Sequence, residues 1–383
     1  MLKIALVANE ASGDRLGAGL MAALRATGEN IAFAGVGGPR MAEQGLISRV
    51  PLEQLSVMGL VEVLRHLPRL LRIRRNLARF FLDWRPHVMI GIDAPDFNLP
   101  LEDLLKWVGI PTVHYVSPTV WAWRPGRVQA LRSAADRVLS ILPFEVEFLE
   151  RHRVPVRYVG HPLADTIPLV KNPAVARQRL GVPLDGPLLA LLPGSRMGEI
   201  ERHARLFWET AAWCGARKPG LRVALPFVHA DLARRFQSLR GALAPDLPMT
   251  MTEDSHVVLE AADVVLTASG TATLEALLFQ KPMVVAYRLH PVTYQLAKRL
   301  RLVKVPYIAM SNLLADAPLA PEFIQNACRP EAMGQALLHF LDDPAGCAVL
   351  AQRYGEIHQT LRRDASTQAA AEVLALIREH PLS

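Results

Sequence analysis

The chain has 383 residues, 51% of them hydrophobic and 21% charged, with no low-complexity tract. That length exceeds one ordinary core and implies two domains, and the composition excludes a disordered or fibrous chain. A formal net charge of +7 and a pI near 9.6 call for an acidic partner, with nucleic acid, anionic lipid and phosphorylated small molecules all open on charge alone.

Met1–Asp14 runs from a short apolar strand, Lys3–Ala8, straight into a polar turn without a cleavage region, so it does not read as a signal peptide. No uninterrupted apolar run approaches the ~20 residues of a bilayer span, and a soluble or peripheral protein is expected. The strand ends in Asn9-Glu10-Ala11-Ser12-Gly13-Asp14, which is not GxGxxG and argues against a dinucleotide oxidoreductase. The following helix carries Leu16, Leu20 and Leu24 on one face. Leu60–Phe81 then sets Arg65, Arg69, Arg72, Arg74, Arg75 and Arg79 against a single acid, Glu62, among interleaved Leu, Val, Ile and Phe. Pro68 is expected to split it into two helices. Such a segment suits a membrane surface, with Arg69, Arg72, Arg75 and Arg79 as contacts, or a core-facing helix with a solvated basic face. Its aromatics, Phe80 and Phe81, stand together at its end and are not spread along it for base stacking, so nucleic acid fits less well.

Val88–Ile92 is the continuous apolar run of a buried parallel strand. It ends in Asp93-Ala94-Pro95-Asp96-Phe97-Asn98. A carboxylate at the carboxyl end of a buried strand is expected to be partly desolvated and competent as a general base, or else to cap the next segment. Asp96, nearer the helix start, suits capping. Thr112–Val116, Val138–Leu142 and Val156–Val159 follow at crossover spacing. Between the first two, Trp121 and Trp123 sit in one loop and suit either a satellite core or a sugar or acyl site.

Prolines 162, 168 and 173 mark a domain boundary within Gly160–Pro173. The expected division is 1–163, 164–345, and a strandless helical stretch 346–383 packing back on the first domain. In the second half, Leu188–Leu192, Arg222–Leu225, Val264–Thr267 and Met283–Ala286 read as strands and Arg202–Cys214 and Thr271–Phe279 as helices. Strand–helix alternation throughout implies an α/β protein of two doubly wound Rossmann-like domains facing each other, with ligands at the carboxyl ends of the strands.

Two such strand ends suit phosphate. After Leu188–Leu192 come Pro193-Gly194-Ser195-Arg196 and then Glu199, where Gly194 permits close backbone approach and the Arg196 fork matches a diphosphate. After Val264–Thr267 come Ala268-Ser269-Gly270-Thr271, opening a helix whose first N–H groups and dipole favour an anion. Glu275, one turn in, suits a ribose diol. Each loop also reads as an ordinary turn or a Ser/Thr cap. No GxxxxGK[ST] is present, which argues against phosphoryl transfer from ATP. Cys214, Cys328 and Cys347 have no metal-like spacing and read as buried reduced thiols. Tyr294–Lys304 is a second basic, apolar segment.

The blocks ASGD, GVGGPRM, MGLVEVL, GIDAPDFN, HYVSPTVWAWRPGRV, LPGSR, SGTATLEA and MSNLLA, in this order from Ala11 to Ala315, with QAAAEVL near the C-terminus, resemble the lipid-A-disaccharide synthase family. The resemblance implies the GT-B glycosyltransferase architecture, no metal and no cofactor. It implies an inverting transfer between UDP-2,3-diacylglucosamine and 2,3-diacylglucosamine 1-phosphate, at the inner face of the inner membrane of Gram-negative bacteria. It places the base at Asp93 and donor contacts at Gly194, Ser195, Arg196, Ser269, Gly270, Thr271, Glu275 and Asn312. Glu10, Ser12 and Gly13 match a first-domain loop at the acceptor side. His87 stands where the family pattern suggests an acid. A UDP-sugar epimerase of the same architecture and a non-enzymatic lipid-binding protein are the rival readings, and the oligomeric state, a homodimer included, stays open.

Overall fold

The computed structural model describes residues 1–55, 60–118, 127–227, 229–241, 243, 246–289 and 306–380, with backbone alone for 60–65. Trp121, Trp123, Met58-Gly59 and Tyr294–Lys304 lie outside the described residues. The chain divides into two compact units, Met1–Asp165 with Leu361–Ser383, and Thr166–Thr360.

The first unit is a seven-stranded parallel sheet of β1 (Leu2–Ala8), β2 (Ile31–Val36), β3 (Leu46–Ser48), β4 (Val88–Ile92), β5 (Thr112–Tyr115), β6 (Arg137–Ser140) and β7 (Val156–Tyr158). Its order is β3-β2-β1-β4-β5-β6-β7. β1 and β4 lie side by side at its centre, with Ala8 opposite Ile92. Helices cover both faces of a parallel sheet, so every residue of β4 is buried and the strand reads as an apolar run without alternation. The helices used below are α1 (Ala11–Ala26), α2 (Pro39–Glu43), α3 (Leu60–Trp84) and α4 (Pro95–Trp107).

α3 corrects one expectation: the chain runs through Pro68 as a single helix. An interior proline costs roughly 3 kcal/mol. The turns beyond it bury Ile73, Leu77 and Phe81 in one cluster with Leu101 and Leu105 of α4. Each such side chain contributes about 1.5–3 kcal/mol, which outweighs the lost hydrogen bond. Arg69, Arg72, Arg75 and Arg79 all lie on the exposed face of α3, together with Leu67 and Leu71.

The helix Ala365–Glu379 also belongs to this unit. Arg137, at the start of β6, holds both carboxylate oxygens of Glu379 at 2.9 Å and Glu372 Oε2 at 3.1 Å. The Asp165 carboxylate accepts from the N–H groups that lead into the same helix, Arg363 at 3.0 Å, the N-cap Asp364 at 2.9 Å and Ala365 at 2.7 Å.

The second unit is a six-stranded parallel sheet of β8 (Leu188–Leu192), β9 (Arg222–Pro226), β10 (Met249–Thr252), β11 (Val264–Thr267), β12 (Met283–Tyr287) and β13 (Glu322–Ile324), ordered β10-β9-β8-β11-β12-β13. Trp208, Phe207 and Phe236 fill one side of its core. Cys214 and Cys328 are buried here; Cys347 is only half-buried, on a helix surface, which corrects the reading of three buried thiols. Among the described residues no helix is long and apolar enough to cross a membrane.

Candidate active site

In each unit the two central strands deliver their exits side by side, and a hollow forms where they end. In the first unit Asn9, Glu10, Ser12 and Gly13 follow β1, while Ile92, Asp93 and Ala94 close β4, and together they line a hollow of about 130 Å³. The structure thus brings Glu10, Ser12 and Gly13 together with Asp93. Gly13 is buried because α1 starts hard against the sheet: a Cβ there would lie 3.2 Å from Ala8 Cβ and 3.6 Å from Ile92 Cγ2. Glu10 is the N-cap of α1 but makes no side-chain cap bond. Asp14, the last residue of ASGD, is buried and structural: its carboxylate accepts from the Gly38, Arg40 and Met41 N–H groups at 2.8, 3.1 and 3.0 Å, capping α2.

Asp93 is exposed, not partly desolvated as the strand position suggests. The reason is local backbone geometry. Asp93 and Ala94 both adopt left-handed conformations, with φ of 53° and 43°, and the turn lifts the carboxylate off the end of the sheet. Asp93 N still donates to Tyr115 O at 2.8 Å, so the residue is anchored as it leaves. Two adjacent non-glycine residues in this region are costly and recur at functional sites. Asp96 does not cap α4; it sits in the first turn with its side chain outward and pairs with Arg127 at 2.6 Å.

The second unit's hollow, about 390 Å³, is lined by Gly194, Ser195, Arg196 and Glu199 after β8 and by Ser269, Gly270, Thr271 and Glu275 after β11. Gly194 has φ +123°, and a Cβ there would collide with Glu199. Glu199 Oε2 accepts from Ser195 N at 3.0 Å and Arg196 N at 3.3 Å, which fixes the loop from one turn into the following helix and leaves the Arg196 side chain exposed. On the other loop the hydroxyl caps considered from the sequence are not made. The N-cap of the helix Thr271–Leu278 is Gly270, without a side-chain cap bond. Ser269 Oγ instead donates to Ile308 O at 2.8 Å, and Thr273 Oγ1 donates to Gly270 O at 2.8 Å. The first turn therefore presents backbone N–H groups and its dipole to the hollow, as an anion site does.

Asn312 does not join the hollow. It is fully buried, with Nδ2 donating to Ala320 O at 2.8 Å and Glu322 Oε1 at 2.9 Å and Oδ1 accepting from Ala320 N at 2.8 Å. Glu322 in turn accepts from Ile308 N and Ala309 N, so Asn312 braces the segment whose Ile308 carbonyl holds Ser269. Its influence on the hollow is indirect.

Several residues went unread in the sequence. Pro226 and Tyr287 stand at the exits of β9 and β12, and Glu253 and Ser255 just beyond β10, all lining the same hollow. The rule that ligands sit at strand ends reaches Pro226 and Tyr287 directly, and Glu253 and Ser255 once β10 is recognised, but the Met-Thr alternation of β10 is too short to stand out. His203 had no such signal. It is buried, and its Nε2 accepts from Arg288 N at 3.0 Å, so the ring proton is on Nδ1, which donates to Pro193 O at 3.0 Å. Burial holds this imidazole below its usual range and so in the neutral form the bracket needs. The exits of β8 and β12 are tied together through it.

Chemically, one hollow offers an N–H-rich helix start, an exposed guanidinium and a carboxylate one turn into the helix, a set that fits a nucleoside diphosphate. The other offers an exposed carboxylate on a fixed turn. Among the described residues no three His, Cys, Asp or Glu side chains converge as metal ligands.

The family model for lipid-A-disaccharide synthetase matches residues 4–374 of the chain. The lipid-A-disaccharide synthase of Pseudomonas paraeruginosa is 54% identical over 377 residues, covering 98% of both chains. In fold the chain is similar to a putative UDP-N-acetylglucosamine 2-epimerase from Listeria monocytogenes, with a TM-score of 0.63, 13% identity and coverage of 99% and 96% of the two chains. It is equally similar to the glycotransferase of kitacinnamycin, with a TM-score of 0.63, 17% identity and 98% coverage of each.

Proposed function

The chain belongs to the lipid-A-disaccharide synthetase family, and we propose from that membership and the chemistry of the two hollows that it joins UDP-2,3-diacylglucosamine to 2,3-diacylglucosamine 1-phosphate. The products are a β-1,6-linked disaccharide 1-phosphate and UDP. The observation that carries the reading is the pairing, on one chain, of a diphosphate-suited loop set at Gly194–Arg196 and Ser269–Thr271 with a carboxylate held out on a left-handed turn.

The reaction is a single inverting displacement. Asp93 takes the proton of the acceptor's 6-hydroxyl as that oxygen bonds to the anomeric carbon, and the bond from that carbon to the UDP oxygen breaks. Arg196 and the N-terminal turn at Thr271 receive the charge that builds on the leaving diphosphate. Glu275 suits the ribose, and Glu10, Ser12 and Gly13 the acceptor sugar. Met1–Asp165 is read as the acceptor and membrane unit and Thr166–Thr360 as the UDP-sugar unit. The test is UDP release with mass-spectrometric identification of the product. Release that depends on the acylated sugar phosphate supports the transfer, whereas UDP-sugar turnover without acceptor would turn the assignment to an epimerase.

The exposed arginines of α3, with Leu67 and Leu71 beside them, support a peripheral site at the inner face of the inner membrane, where anionic headgroups meet the basic row and acyl chains the leucines. Each cation near such a surface contributes about 1 kcal/mol. Replacing Arg72, Arg75 and Arg79 by Ser is therefore expected to weaken binding to anionic vesicles by on the order of 10²-fold at low salt, with a smaller difference at high salt. Cosedimentation that is unchanged by the substitutions, or insensitive to salt, removes the basic row from the membrane contact.

A further inference from the structure

The left-handed turn at Asp93–Ala94 is held from behind by one buried side chain. Asn98, fully buried in α4, donates through Nδ2 to Asp93 O at 2.8 Å and reaches Ile92 O and Val7 O at 3.3 Å each. Ile92 is the last residue of β4 and Val7 the penultimate residue of β1. One amide group thus ties together the two strand ends from which Asp93 and Glu10–Gly13 depart. The backbone adds its share, with Phe97 N and Asn98 N both donating to Ala94 O at 3.0 Å.

The sheet is shaped to admit this side chain. Gly91 lies beneath it, where a Cβ would come within 2.9 Å of Asn98 Cβ and would collide with Glu102 Oε1. Glu102, one turn further along α4, closes the same wall: its Oε1 lies 2.8 Å from His114 Nδ1, both side chains are fully buried, and His114 is the strand partner of Gly91. The wall behind the turn is therefore polar, buried and close-packed, the setting in which a single hydrogen bond is most effective.

A non-glycine residue in the left-handed region is sterically disfavoured, and two in succession relax unless something holds them. From this geometry we infer that Asn98 is the positioning residue of the base: its amide holds the Asp93–Ala94 turn in the one form that carries the Asp93 carboxylate into the hollow with Glu10 and Ser12. The inference rests on the reading of Asp93 as base.

Steady-state kinetics of Asn98→Ala, Asn98→Asp and Asp93→Asn across the neutral pH range, with UDP calorimetry and thermal melting alongside, test it. Asn98→Ala is expected to lose ~10²-fold in kcat, the size of effect that a misplacement near 1 Å produces, with UDP affinity unchanged. Asn98→Asp carries the sharper signature. An ionised carboxyl cannot donate to three carbonyls and only its protonated form restores the bond. Its kcat relative to that of the wild type at the same pH should therefore rise as pH falls. Wild-type kcat in Asn98→Ala overturns the inference, and so does an Asn98→Asp pH profile parallel to the wild type's. Should Asn98→Ala not fold, the trend in Asn98→Asp decides alone. If Asp93→Asn is itself active, the base reading has failed; if Asp93→Asn is inactive and Asn98→Ala fully active, only the role of Asn98 has.

Discussion

Asp93→Asn is expected to lower kcat by ~10²–10⁴-fold, the contribution of a positioned base, while UDP affinity and melting temperature stay where they are. The substitution is suited to the question because it changes so little else. Asn and Asp share a shape, and Asn is among the few side chains that tolerate the left-handed region, so the turn with φ of 53° at this residue is not penalised. The backbone bonds that anchor it, Asp93 N to Tyr115 O and Asn98 Nδ2 to Asp93 O, involve no side-chain atom of Asp93. The carboxylate is exposed, so neutralising it leaves no buried charge unpaired in the rest of the unit. Loss of rate with fold and UDP binding intact therefore isolates proton removal. Turnover within a few-fold of wild type removes Asp93 from the base role and would direct attention to Glu10, the other carboxylate lining that hollow.

Which parts of this architecture are legible in one sequence follows from burial. Val88–Ile92 and Leu188–Leu192 are covered on both faces and spell themselves as unbroken apolar runs, and both match the observed strands to the residue. Ile31–Val36, Met249–Thr252 and Glu322–Ile324 escape because they are short, small-residue or edge strands, half-exposed along part of their length. The loops after strands carry their own signals, which is why Asp93, Gly194–Arg196 and Ser269–Thr271 could be picked out. Their supports could not. His203 acts on Arg288, 85 residues away, and Asn312 acts on Ser269 through Glu322 and Ile308. Such roles depend on which loop a buried amide or imidazole happens to meet, and no spacing along the chain records that. The exposure of Asp93 is hidden in the sequence for a related reason: a strand-end carboxylate is ordinarily half-covered, and only the positive φ angles reveal that the chain turns outward.

On the donor side, Arg196→Ala is expected to reduce kcat by ~10²–10³-fold, the cost of removing one preorganised group from a developing anion. The structural consequences should be small. Arg196 is the extended N-cap residue of the helix Met197–Gly215, its side chain is exposed, and the loop is fixed by Glu199 through backbone N–H groups that alanine keeps. The rate effect is expected to exceed the loss of UDP-sugar affinity. The diphosphate carries charge in the bound donor already, but the β-phosphate oxygen bonded to the anomeric carbon gains more as that bond breaks, and only the added interaction accelerates the step. Arg196→Lys separates charge from geometry: an ammonium keeps the point charge and loses the planar fork, so partial recovery of kcat is expected. Measuring kcat and donor KM for both variants, with calorimetric UDP binding, resolves the two contributions. If Ala and Lys are both as fast as wild type, the guanidinium does not face the leaving group. The helix start at Thr271 would then have to carry the charge alone, and a dipole equivalent to about half an elementary charge is a weak counterpart for a leaving diphosphate.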